Sequence, residues 1–286
     1  MKALAQWAMK GRWQATVAAA GCFAIPLLFW LGAAVVALVI LRHGLREGGK
    51  VVLWSLLPAI AWLAMGDPTP LLAAAGTAVT ALVLRQTIRL DRAVVVAGVL
   101  GILAYVLLPY LLADVLPAVE EASQKAVSEA LQNDPEFLAR LQPMVGPMIS
   151  GVLAALHVLV IILCLLLGRY WQSALFNPGG FGREFKQLRL PLAYSLPALL
   201  ASLAAGQLQP ELAGVTPVLT VPLMIAGLAL FHGLVAKSQA SPNWMVLVYL
   251  ALVVFGPYMY TLLIFGALLD SLVDFRARLK DTAGDA

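Results

Sequence analysis

Residues 158–168 read VLVIILCLLLG: no charge, no proline, and none of the polar–apolar alternation that marks a half-buried strand. They sit inside a longer uncharged run, Leu141–Gly168. A bilayer core is crossed by about 20 apolar helical residues. Lipid offers no partner for backbone N–H and C=O groups, so a run of this kind must close its hydrogen bonds internally as a helix. A transmembrane barrel would need alternating segments of about ten residues. The stretch reads as a membrane-spanning helix.

Working outward, seven further uncharged runs repeat the pattern: Trp13–Leu41, Val51–Gly66, Pro68–Leu84, Ala93–Ala113, Leu190–Pro210, Leu212–Ala236 and Ser238–Leu269. Every Lys, Arg, Asp and Glu falls between them. Hydrophobic residues are 62% of the chain and charged residues 12%, against roughly half and a quarter in soluble domains, which excludes an ordinary soluble core. The expected fold is all-α: a polytopic helical membrane protein of about 8 to 10 transmembrane or re-entrant helices, with a short amphipathic external segment. One integral membrane domain, 1–286, divides into N-terminal helices (13–113), an external segment (114–146), C-terminal helices (147–270) and a tail (271–286). The start, MKALAQWAMKGRWQ, resembles a signal peptide, but its apolar stretch runs past a signal core and more runs follow; an uncleaved anchor is expected. Cys22 and Cys164 both lie within apolar runs and imply neither a disulfide framework nor a metal site.

Lys and Arg near helix ends set orientation. Residues 1–12, 42–50 (Arg42, Arg46, Lys50), 85–92 (Arg85, Arg89, Arg92) and 169–189 (Arg169, Arg183, Lys186, Arg189) are basic and predict cytoplasmic positions. The connectors at Asp67 and Glu211 carry no base, and 114–140 sets six acids against Lys125 and Arg140, so these three read as external. A single span over Trp13–Leu41 would put a basic flank outside, and its 29 residues would be about 43 Å long. Pro26 removes a backbone donor near the middle. Two short or re-entrant helices are expected, near Gln14–Ile25 and Phe29–Leu41. Gly256 and Pro257 split the last run likewise, followed by Arg276, Arg278 and Lys280, leaving both termini cytoplasmic in a bacterial inner membrane.

Outside the runs, 114–146 reads as two amphipathic helices, the second starting at Asp134–Pro135, and forms either a cap on the outer face or a lid. The connector GRYWQSALFNPGGFGREFKQLRLP (168–191) pairs a turn of Asn177, Pro178, Gly179 and Gly180 with aromatics such as Phe181. It lacks the Lys-Ser/Thr of a phosphate-binding loop. It reads as an interfacial turn, or as a surface whose bases attract anionic lipid or dock a partner.

No Asp, Glu, Lys or Arg falls within an assigned span, which counts against proton-coupled antiport, intramembrane proteolysis and metal-dependent lipid chemistry. The ionisable candidate at depth is His157, read either as a ligand or proton group or as a neutral imidazole bonded to a neighbouring helix. Tyr105, Tyr194, Thr220 and Tyr258 are further candidates to line a cavity, and Pro191, Pro197, Pro217, Pro222 and Pro257 are expected to interrupt the last runs. No catalytic residue, metal site, cofactor or nucleic-acid surface is expected; the lipid bilayer is the expected partner.

The segments MKALAQWAMKGRWQA, VVALVILRHGLREGG and above all RYWQSALFNPGGFGREFKQLRLP resemble the YybS-like family of bacterial membrane proteins, in its gammaproteobacterial branch. That family is in turn distantly similar to the S components of energy-coupling-factor vitamin transporters, which bind a small molecule and dock on a transmembrane coupling subunit with ATPases. The resemblance implies a small-molecule binding or transport component without its own ATPase, with Ala15 and Ala19, or Ala33 and Ala37, as small-residue docking pairs. The alternative is a non-transporting scaffold that docks a partner through 169–189.

Overall fold

The computed structural model describes residues 2–278 apart from Gln239 and Pro242; the basic tail residue Lys280 lies outside the described residues. Among these the chain is helical throughout, with no strand. Five helices are long and apolar enough to cross a membrane: Pro26–Ser55, Leu90–Leu111, Pro135–Phe176, Pro210–Lys237 and Gly256–Val273. Two shorter ones, Leu192–Leu208 and Asn243–Val254, are also apolar.

The elements in order are α1 (Lys2–Ala8), α2 (Arg12–Ala24), α3 (Phe29–Ser55), α4 (Leu57–Ala64), α5 (Thr69–Thr87), α6 (Leu90–Leu111), α7 (Leu116–Ala130), α8 (Pro135–Leu141), α9 (Val145–Phe176), α10 (Gly180–Lys186), α11 (Leu192–Leu208), α12 (Val215–Lys237), α13 (Asn243–Val254), α14 (Gly256–Val273) and α15 (Phe275–Arg278). Short 3-10 turns occupy Pro26–Leu28, Gln142–Met144 and Pro210–Leu212.

Helix α9 is the axis, packed against α3, α5, α6 and α12. Gly151 explains one of those contacts: a Cβ there would lie 2.2 Å from the Gly214 carbonyl oxygen, so only hydrogen lets the backbones meet. Paired contacts give the directions. Ala37 meets Gly168 while Leu41 meets Gln172, so the first part of α3 runs parallel to α9. Gly98 meets Pro222 and Gly101 meets Val218, so α6 runs against α12. Thr220 meets Tyr260 and Gly227 meets Leu263, so α14 runs with α12.

The run Trp13–Leu41 is broken at Ile25–Leu28, where Pro26 cannot supply a donor, and α2 folds back on α3. Helix α3 is itself two pieces. Gly44 has φ +75°, and Gly48 comes back against Ile40, a contact that a straight helix, rising about 12 Å over eight residues, would forbid. The last run is broken at Phe255, and α13 and α14 pair as a hairpin.

Three expectations are corrected. Val51–Gly66 is no single helix, because α3 ends at Ser55 and Pro58 opens the eight-residue α4. Pro197 and Pro222 do not interrupt their runs, since α11 and α12 continue through them. Pro191 precedes α11 and Pro217 sits in the first turn of α12, where the missing N–H has no helical partner to lose, so neither interrupts a helix; Pro257, in the first turn of α14, does stand at the expected break.

The four basic segments of the sequence converge on one end of this bundle. Lys10, Arg12, His43 and Glu47 line one recess. Arg85, Arg169 and Arg183 line a second, and Arg89 and Arg189 a third beside it. The acidic segment lies at the opposite end, where Glu120 and Glu211 share a recess with Tyr105. Helix α8 begins as its sequence predicts, with the Asp134 carboxylate accepting from the Phe137 N–H at 3.0 Å.

Candidate functional site

The basic end is organised by the connector after α9. The Ser173 hydroxyl donates to the Asn177 carbonyl at 2.7 Å and accepts from the Phe181 N–H at 2.9 Å, so one side chain closes the turn from both sides. Gly179 takes φ +83°, a conformation costly for side-chain-bearing residues, and Gly180 is buried beneath Asn177. Phe181 then stacks on Phe185 at 5.9 Å with Tyr170 edge-on at 5.9 Å, and Phe185 meets His232 of α12 at 5.5 Å. Arg42 lies over the Phe176 ring at 4.1 Å. Asn177, Pro178 and Gly179 remain exposed on the rim.

A clasp ties this connector to the end of α14. Arg189 donates to the carbonyls of Asp270 (2.7 Å) and Ser271 (2.9 Å) and to the Asp274 carboxylate (3.2 Å). Arg276 donates to the carbonyls of Lys186 (2.9 Å) and Leu188 (3.0 Å) and to the Asp270 carboxylate (2.7 Å). The Asp270 carboxylate also accepts from the Phe275 N–H at 3.1 Å. These bonds satisfy the orphan carbonyls of a helix end with guanidinium donors.

Two adjoining recesses open beside the clasp. The larger, about 560 Å³, lies between the Gly44 bend of α3, the end of α5, the end of α9 and α10. Its walls carry Arg85, Arg169, Arg183, Glu184 and the amides of Gln172 and Gln187. The smaller, about 440 Å³, shares Ile88, Glu184 and Gln187 with it and adds Arg89, Asp91 and Arg189. Beside the bend the Leu41 carbonyl accepts from Arg85 and, at 3.1 Å, from Gln172. Arg169 donates to Glu184 at 2.7 Å and to Gln172 at 3.1 Å. Burial pushes the Glu184 carboxyl above its ordinary value, and Arg169 pulls against it. Guanidinium and amide groups keep their protons at physiological pH, so what this surface offers is recognition by fixed charge and hydrogen bonds.

The five residues expected to line a ligand cavity are not brought together. Tyr105 donates to the Glu211 carbonyl at the acidic end. Tyr194 donates to the Leu219 carbonyl at 3.2 Å and fills the space beside Gly98. His157 is buried with Nδ1 at 2.8 Å from the Leu153 carbonyl of its own helix, so its bond is not to a neighbouring helix as expected, and Nε2 has no partner among the described residues. Tyr258 is 81% exposed on the flank of α14. Thr220 does line a recess, an apolar one of about 670 Å³ between α11, α12, α13 and α14, where its hydroxyl meets that of Tyr260 at 2.7 Å. Ala15 and Ala19 are buried within the chain, Ala19 against Gly32 of α3, so neither lies on an outer docking face.

Two functional groups escaped the sequence reading. Asp270 ends an uncharged run, so it reads as the first residue outside; α14 extends to Val273 and leaves it 1% exposed. Arg85 reads as an ordinary topology determinant and is in fact the cap of a broken helix. The spacing Asp270, Asp274, Arg276 is a local hint of a charged helix end; Arg189, which donates to Asp270 and Asp274, is too distant in sequence to infer.

Comparison with family models, curated proteins and solved structures finds no match for this chain.

Proposed function

We propose that the chain is a multi-pass protein of a bacterial cytoplasmic membrane, with its basic end in the cytoplasm, and that it serves as a non-catalytic docking component whose working face is the 169–191 connector. The supporting observation is the segregation of charge: segments far apart in sequence, 10–12, 42–50, 85–92 and 169–189, gather at one end, and the acidic segment gathers at the other. That is the asymmetry the positive-inside rule produces in an inner membrane. On this reading the exposed rim of Asn177, Pro178 and Gly179 is presented to a cytoplasmic or membrane partner by a connector pinned through Arg189 and Arg276, and the interface meets a rigid turn. A photo-cross-linking residue at Pro178 should give one discrete protein adduct in cells, absent from the same probe at Glu121 on α7. Equal adducts at both positions, or none at Pro178, contradict the docking reading.

A second reading, a small-molecule binding component of the S-component kind, is supported by the apolar recess around Thr220 and Tyr260, whose 670 Å³ falls in the range of ligand sites. It predicts a co-purifying small molecule detectable by mass spectrometry and lost in Tyr260→Phe.

A further inference from the structure

The larger recess at the basic end holds more positive charge than the chain itself uses. Three guanidinium groups from three elements face it, Arg85 of α5, Arg169 of α9 and Arg183 of α10, against the single carboxylate of Glu184, a surplus of two charges. Their duties differ. Arg169 is occupied by Glu184 and Gln172. Arg85 spends one N–H on the Leu41 carbonyl, and the rest of its planar fork has no partner among the described residues. Arg183 is exposed and has no partner among the described residues. Gln187, on the same wall, has a free side-chain amide among the described residues.

A solvated basic rim would place such side chains on a convex surface; here they come from separate helices around one concavity of about 560 Å³. The Leu41 carbonyl in that concavity is already covered by two donors, and the Glu184 carboxylate accepts from Arg169, which offsets its charge. Two partly unused guanidinium forks and an amide donor suit a tetrahedral oxyanion, which takes several charge-assisted hydrogen bonds at once. We propose that this recess is a phosphate-binding site, gripping the phosphate of a lipid headgroup or of a soluble phosphate ester between Arg85 and Arg183, with Gln187 as a neutral donor. Glu184 sets its strength by offsetting one charge while holding Arg169 in place.

The choice of a lipid source rests on the proposed cytoplasmic orientation; the anion chemistry does not. The test uses the full chain in phosphatidylcholine nanodiscs. One arm titrates inorganic phosphate and glycerol 3-phosphate by calorimetry; the other adds phosphatidylglycerol to the discs and counts retained lipids by native mass spectrometry. Binding in the first arm identifies a soluble ligand, and in the second a headgroup. In the arm that binds, Arg183→Gln should weaken binding about tenfold, the loss of roughly one charge-assisted bond. Glu184→Gln should strengthen it. Arg183 has no intrachain partner among the described residues, so its replacement leaves the fold intact. Binding in neither arm, or binding indifferent to both substitutions, overturns the proposal. Phosphate binding that persists while the Pro178 adduct fails would remove the docking reading alone.

Discussion

Asp270 and Arg276 form an ion pair at 2.7 Å, with the side chains 2% and 13% exposed, that closes the end of α14 over the connector following α9. The same guanidinium reaches the Lys186 and Leu188 carbonyls, so a single cation joins two segments more than eighty residues apart. Removing one partner from a buried pair leaves the other charge uncompensated, at a cost of about 3 to 5 kcal/mol. Asp270→Ala should lower the midpoint of unfolding in detergent accordingly. The double replacement Asp270→Leu with Arg276→Met should recover only part of that loss, because the apolar pair carries no charge to desolvate but leaves the Lys186 and Leu188 carbonyls and the Phe275 N–H without these partners. A single variant as stable as the parent would show that the clasp does not hold this end.

Backbone contact at the centre makes a second prediction. Gly151→Ala puts a methyl 2.2 Å from the Gly214 carbonyl oxygen and must push α9 from α12, costing about 1 to 3 kcal/mol. Gly182→Ala, in α10 with nothing within 4 Å of the added carbon, should be neutral or stabilising by about 0.5 to 1 kcal/mol. Thermal unfolding of the two variants side by side separates packing from helix propensity.

The bend of α3 is the third. Gly44→Ala forces a Cβ onto φ +75° and places it 3.0 Å from Arg85 Nε. With ψ at −174°, this is an extended positive-φ conformation adopted essentially by glycine alone, and holding an L-residue there costs about 1 to 3 kcal/mol. The variant should be less stable by about that amount, and a helix straightened there would separate Gly48 from Ile40, measurable as loss of a cysteine cross-link engineered between them.

Breaks and helix starts were legible where a local donor or acceptor decides them. Pro26 and Pro257 mark breaks because proline lacks an N–H, and Asp134 before Pro135 marks a start because its carboxylate caps the next turn. The bend at Gly44 falls within the basic stretch 42–50 that charge alone identifies as a connector. The recesses were not legible. Arg85 meets Leu41 across 44 residues and Arg189 meets Asp270 across 81, and no periodicity encodes such pairings. Tyr258 and Thr220 look alike as polar positions in apolar runs, yet one is bare on the flank of α14 and the other lines a recess, a distinction made by which face of each helix the neighbours cover.

The orientation proposed for the chain puts its basic end in the cytoplasm. It is tested by the labelling of single cysteines with a membrane-impermeant maleimide in intact cells, in a background carrying Cys22→Ser and Cys164→Ser. Glu121→Cys, exposed on α7, should label without permeabilisation, and Gly182→Cys, exposed on α10, only after it. Labelling of Gly182→Cys in intact cells would place the connector outside and contradict the account.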